Sequence, residues 1–127
     1  MKRCLGILAV LFLMFGMGAL ADSSAVPYTI AIEPTGPVSV QHTETSTTYT
    51  ATVTCDTNFW LRLKVYINGT LKHDSLTYYP NSGPTKDVQK VVPFVGLQDG
   101  YVMVYRGRAT IAGTGTYDEE DWEITVQ

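Results

Sequence analysis

Residues 48–69, Thr-Tyr-Thr-Ala-Thr-Val-Thr-Cys-Asp-Thr-Asn-Phe-Trp-Leu-Arg-Leu-Lys-Val-Tyr-Ile-Asn-Gly, decide the fold. In the first half, Tyr49, Ala51, Val53 and Cys55 alternate with Thr48, Thr50, Thr52 and Thr54. A period of two places successive side chains on opposite faces of a strand, so one face is core and the other a threonine ladder in water. The second half repeats the pattern: Leu61, Leu63, Val65 and Ile67 on one side, Trp60, Arg62, Lys64 and Tyr66 on the other. It ends at Asn68-Gly69, the dipeptide preferred in a two-residue type I′ hairpin because both positions tolerate positive φ.

Outward from this pair, the remaining chain reads as further short strands. Tyr28, Ile30 and Ile32 alternate, Pro34 to Pro37 is expected to break the run, and Val38 and Val40 resume it. Thr70 to Tyr79 continues the hairpin less regularly, and Pro80 to Pro84 is a turn. Val88 to Val95 forms a strand interrupted by Pro93. Tyr101 to Ile111 is the longest candidate, with an ambiguous phase that a bulge near Gly107 would reconcile. Gly113 to Asp121 reads as a loop, and Trp122, Ile124 and Val126 as the last strand. The pattern predicts an all-β fold, an antiparallel two-sheet sandwich of about seven strands with Greek-key connections.

Composition agrees. Within residues 22–127, Thr, Val, Ile, Tyr, Phe and Trp together number 46 of 106, against 11 for Ala, Leu and Met, which excludes a helical bundle. The N-terminus reads as an export signal: Lys2 and Arg3, an uncharged apolar run from Leu5 to Leu20, and Ala19-Leu20-Ala21 before Asp22. The expected organisation is a cleaved signal peptide at 1–21 and one domain at 22–127. An uncleaved membrane anchor is the competing reading, since 18 residues from Cys4 to Ala21 carry no charge. The expected location is therefore secreted or periplasmic, or the cell surface, with a membrane involved only if the signal stays attached. Cleavage removes two of nine basic residues and leaves seven against twelve acidic ones, a balance that argues against nucleic-acid binding. Cys55 is then the lone cysteine, read as a small buried hydrophobe with an intermolecular bridge as the alternative.

Three stretches carry a family resemblance: Val38–Cys55, Leu61–Gly69 and Leu97–Gly113, closed by Ile124-Thr125-Val126. The chain resembles the immunoglobulin-like (Ig/fibronectin III-like) modules of bacterial surface proteins and secreted multidomain enzymes. That resemblance implies an immunoglobulin-like sandwich, with Asp99-Gly100 as a tight turn and Tyr101 as a corner tyrosine. Two departures stand beside it: Cys55 has no second cysteine on the later strand, and Trp60 follows it too closely to be the usual core tryptophan.

Sequence signals for chemistry are sparse. His42 and His73 fall in different expected strands without metal-ligand spacing, and Asp74 faces away from His73. No nucleophile elbow or phosphate loop is present, so neither catalysis nor a cofactor is expected. The run Asp118-Glu119-Glu120-Asp121 is a candidate for calcium, but it lacks the glycine or asparagine that lets a chain wrap the ion, and a solvated hairpin tip accounts for it as well. Asn68-Gly69-Thr70 matches a glycosylation sequon, though the hairpin alone explains Asn-Gly.

The remaining candidate is a surface stripe. Trp60, Arg62, Lys64 and Tyr66 project together, and an immunoglobulin-like topology puts Arg106 and Arg108 on the neighbouring strand. Such a face suits an extracellular protein or an anionic glycan. An ordinary half-exposed sheet, whose long side chains cover apolar surface, is the competing reading. The expected function is a non-catalytic binding or adhesion module. The alternatives are an assembly subunit that polymerises through edge strands and, after it, a secreted enzyme inhibitor.

Overall fold

The computed structural model describes residues 28–81 and 83–127. The expected signal at 1–21 lies outside these residues. Seven strands are present: β1 (Ala31–Gly36), β2 (Ser46–Thr54), β3 (Phe59–Ile67), β4 (Thr70–Tyr79), β5 (Thr85–Pro93), β6 (Val102–Ile111) and β7 (Tyr117–Thr125), with no helix among the described residues. They form two antiparallel sheets, ordered β1-β2-β5 and β4-β3-β6-β7. The chain changes sheet between β2 and β3, β4 and β5, and β5 and β6, which sets β3 beside β6 at the centre of the larger sheet. The all-β, two-sheet architecture read from alternation is the one found.

The core follows the period of two. Tyr49, Ala51, Val53 and Cys55 meet Leu61, Leu63, Val65, Met103, Tyr105 and Ala109, all buried. Each large apolar side chain sealed there contributes about 1.5–3 kcal/mol. Tyr49 and Tyr105 stack across the two sheets with ring centroids 5.9 Å apart. The Tyr105 hydroxyl shares a 2.7 Å hydrogen bond with Thr47 Oγ1, so a polar tip is satisfied inside. Burial pushes both tyrosine hydroxyls up, helped at Tyr49 by the nearby charge of Glu120. Around Cys55, the Asn81 carboxamide donates to its carbonyl and its own N–H donates to Pro84 O at 3.1 Å, so the turn after β4 folds over it. Burial raises the thiol's pKa in turn.

Several local expectations change in the structure. β1 runs through Pro34, which is paired opposite Ala51, shifts register between Pro34 and Gly36, and ends before Pro37, so the expected break falls within the Pro34–Pro37 stretch but past its first proline. An edge strand accepts a proline whose missing N–H faces outward. Pro93 closes β5 and does not interrupt it. Gly107 is no bulge, since β6 pairs without a register shift on both sides. It faces inward, where a Cβ would overlap Tyr49 Oη and stand 3.1 Å from Ile32 Cδ1. The glycine makes room for the tyrosine, and the Met103/Tyr105 phase is the buried one. Tyr101 is half-buried just before β6, and the Tyr105 hydroxyl is tied across the sheets to Thr47.

A further correction concerns the acidic run. Residues 117–121 belong to β7 and not to a loop or hairpin tip. Asp118 and Glu120 point inward, at 1% and 0% exposure, and Asp118 Oδ2 accepts the Ile32 N–H at 2.9 Å. That bond ties β7 to β1 along one side of the sandwich. The Trp122 indole donates to Pro37 O at 2.7 Å on the same side, and Gln127 bonds Val40 O (2.9 Å) and the His42 N–H (2.7 Å). The two Gln127 bonds straddle Gln41, the pattern of a parallel pair. The opposite side, where β4 and β5 are the edges, carries no such backbone link between the sheets among the described residues.

Candidate functional site

The outer face of β4-β3-β6-β7 collects the expected stripe. The Asn68-Gly69 turn has φ of 50° and 84°, as a type I′ hairpin requires, and β4 then pairs with β3 through a bulge at Val65/Tyr66. On the other side, β6 pairs with β3 in the register Trp60↔Thr110, Arg62↔Arg108, Lys64↔Arg106 and Tyr66↔Val104. Arg106 and Arg108 therefore stand directly beside Lys64 and Arg62, and the six stripe residues share one surface. With β7 added, the face is built of cross-strand rows. One row runs Tyr78, Trp60, Thr110, Tyr117. The next runs Leu76, Arg62, Arg108, Glu119, and the third Asp74, Lys64, Arg106, Asp121.

The first row is aromatic and open. Trp60 is 40% exposed, Tyr78 42% and Tyr117 46%, and the Trp60 and Tyr78 rings lie 5.0 Å apart at 59°. The other two rows are charged. Arg62 forks onto Asp74 through Nε and Nη2 at 3.0 and 2.9 Å, and Arg106 onto Asp121 at 2.8 and 3.2 Å. Arg108 Nε donates to Glu119 at 3.1 Å. These pairs hold the guanidinium groups of Arg62 and Arg106 above their usual range, while Arg62 holds the Asp74 carboxyl below its own. Two guanidinium groups also lie over tyrosine rings, Arg106 over Tyr66 at 5.2 Å and Arg108 over Tyr117 at 4.2 Å. Lys64 makes no ion pair among the described residues. A hollow of about 110 Å³ opens between Arg62, Lys64, Arg106, Arg108 and Glu119.

Sequence reading missed the acidic and aromatic partners of the stripe. Glu119 and Asp121, grouped there with Asp118 and Glu120 as calcium candidates, are the outward half of an alternating strand and serve the arginines. Two carboxylates inside and two outside do not converge on one ion, and no cluster of three metal-ligating side chains occurs among the described residues. The histidines are also apart. His42 Nδ1 lies 3.0 Å from Gln127 O, while His73 is half-buried on β4 beside an Asp74 engaged with Arg62.

A second hollow, about 440 Å³, lies at the Asn68 end, lined by Ile67, Lys72, Phe94, Leu97 and Tyr101 among others. Asn68 Oδ1 there accepts the Val102 N–H at 3.0 Å, fixing the hairpin to β6. No family model matches the chain, and no curated protein matches it.

Proposed function

We propose that this is an exported, non-catalytic binding or adhesion module that takes an extracellular protein or glycan on the outer face of β4-β3-β6-β7. The observation that carries the reading is the exposed row of Tyr78, Trp60 and Tyr117 beside a lattice of oriented arginines. Large aromatic rings and guanidinium groups supply contact area and directed hydrogen bonds at little ordering cost when they are already held. We read the strand order, with β3 and β6 adjacent at the sheet centre, as that of an immunoglobulin/fibronectin III-like module, in keeping with the motifs quoted above.

The test compares two double variants on immobilised extracellular-matrix proteins and cell-surface polysaccharides. Trp60→Ala/Arg62→Ala should lose at least tenfold in capture while the unfolding free energy falls by no more than about 1–2 kcal/mol. Thr50→Ala/Thr52→Ala, on the other sheet, should leave capture unchanged. Equal capture by both variants overturns the reading, and so does unfolding of the first.

One observation favours the second reading, an assembly subunit. β4 is a ten-residue edge strand in which every residue is exposed or half-exposed, so its outer N–H and C=O groups are open to another chain. Light scattering across a concentration series separates the two: growing oligomers favour assembly, and a monomer throughout favours the binding face.

A further inference from the structure

We propose that the hollow between β3 and β6 seats the carboxylate or sulfate of an acidic polysaccharide, with a neighbouring sugar ring stacked on Trp60. This rests on the face-binding reading and names its ligand.

The register sets Arg62 directly opposite Arg108 and Lys64 directly opposite Arg106, a block of four cations at the centre of a sheet. Like charges placed across a strand pair destabilise it. The chain nevertheless gathers four of its seven basic residues beyond position 21 here, on a molecule with excess acid. The offsetting carboxylates stand outside the block, Asp74 on β4 and Glu119 and Asp121 on β7. Each arginine is drawn sideways toward its partner, and the centre is left as a hollow lined by four cations and one carboxylate. Its volume of about 110 Å³ admits a small oxyanion.

Donors remain for that anion. A guanidinium carries five N–H groups, and the forks of Arg62 and Arg106 engage only Nε and one Nη of each. The ammonium of Lys64 has no ion-pair partner among the described residues. Tyr66 and Tyr117 hold two of the guanidinium groups in place from beneath, so little ordering is lost on binding.

The surroundings select the polymer. Trp60 precedes Arg62 by two positions, about 7 Å along the strand, so a ring stacked on the indole sets the next unit over the hollow. The apolar C–H face of a pyranose suits the half-exposed indole of Trp60. Asp74, Glu119 and Asp121 border the cationic block on both sides. That border repels a closely spaced run of anions but admits isolated anionic groups, as on glycans that carry one carboxylate or sulfate per disaccharide or fewer.

The experiment is affinity titration of the protein with hyaluronan, which carries one carboxylate per disaccharide, and a sparsely sulfated galactan, and with a neutral β-glucan and single-stranded DNA as comparisons. The expected result is binding of at least one acidic glycan that weakens tenfold or more between about 50 and 500 mM salt. Lys64→Ala should weaken it at least tenfold as well, and Trp60→Ala should also weaken it. Binding of the neutral glucan that is lost in Trp60→Ala but indifferent to Lys64→Ala would overturn the acidic-ligand inference and leave the face-binding reading standing. Equal affinity for DNA, or no binding of either acidic glycan, also overturns it. A face that captures only a protein in the double-variant test would separate failure here from failure of the broader reading.

Discussion

The outer faces of β2 and β3 come from the same alternation and carry opposite contents. Behind Tyr49, Ala51 and Val53 stand Thr48, Thr50, Thr52 and Thr54, short branched hydroxyls whose contacts are local, such as Thr52 Oγ1 to Asp87 at 3.0 Å. Behind Leu61, Leu63 and Val65 stand Trp60, Arg62, Lys64 and Tyr66, long side chains knit by ion pairs and ring contacts across four strands. The inward residues make the two strands equivalent for folding. A threonine surface satisfies strand propensity and solvation and asks for nothing more. A surface of half-exposed aromatics and like-charged neighbours costs stability, and the proposed binding role would give a reason to bear that cost.

The sharpest way to break this comparison is to cross from inside to outside on β3. Leu63→Ala should cost about 3 kcal/mol, because it empties a fully enclosed site, whereas Arg62→Ala next to it should leave stability nearly unchanged. Denaturant unfolding measures both, and similar losses would make the outer face structural. Gly107→Ala should cost about 2 kcal/mol through overpacking, and adding Tyr49→Phe should recover part of it, since the hydroxyl is the first atom the new methyl meets.

A pH series sharpens the inner half. Tyr49 and Tyr105 have raised hydroxyl pKa values in the folded chain, so the unfolded chain releases these protons first. Stability from this source is intact below the ordinary tyrosine value of about 10 and falls as pH climbs past it. Tyrosinate absorbance should therefore rise together with loss of the β signal in circular dichroism. Thr52→Ala, on the quiet face, should change stability by less than about 0.5 kcal/mol. The smallest effect expected is at Cys55, which a maleimide should label slowly in the folded protein and rapidly in denaturant.

The strand identities were legible because each alternating run is long enough to set its phase. The pairing was legible only in part. Counting back from Asn68-Gly69 with no bulge would place Thr77 opposite Trp60, and the bulge at Val65/Tyr66 moves Tyr78 there. No local signal near Val65 announces that extra residue. Resemblance to a known topology put Arg106 and Arg108 on the neighbouring strand, but their match to Lys64 and Arg62 depends on a long-range register that no short turn sets. The acidic run misled for a different reason. Four consecutive carboxylates look solvated, whereas Asp118 is buried and accepts a backbone N–H from β1, 86 positions away. Gly107 was read as a backbone device when its role is to leave space for a side chain from the other sheet.

The two Gln127 bonds join segments that run in the same direction. Tension applied between Tyr28 and Gln127 would drag these segments past each other, straining both bonds together instead of unzipping them in turn. A sandwich clasped in this way resists being drawn out lengthwise more than one whose bonds would break one after another.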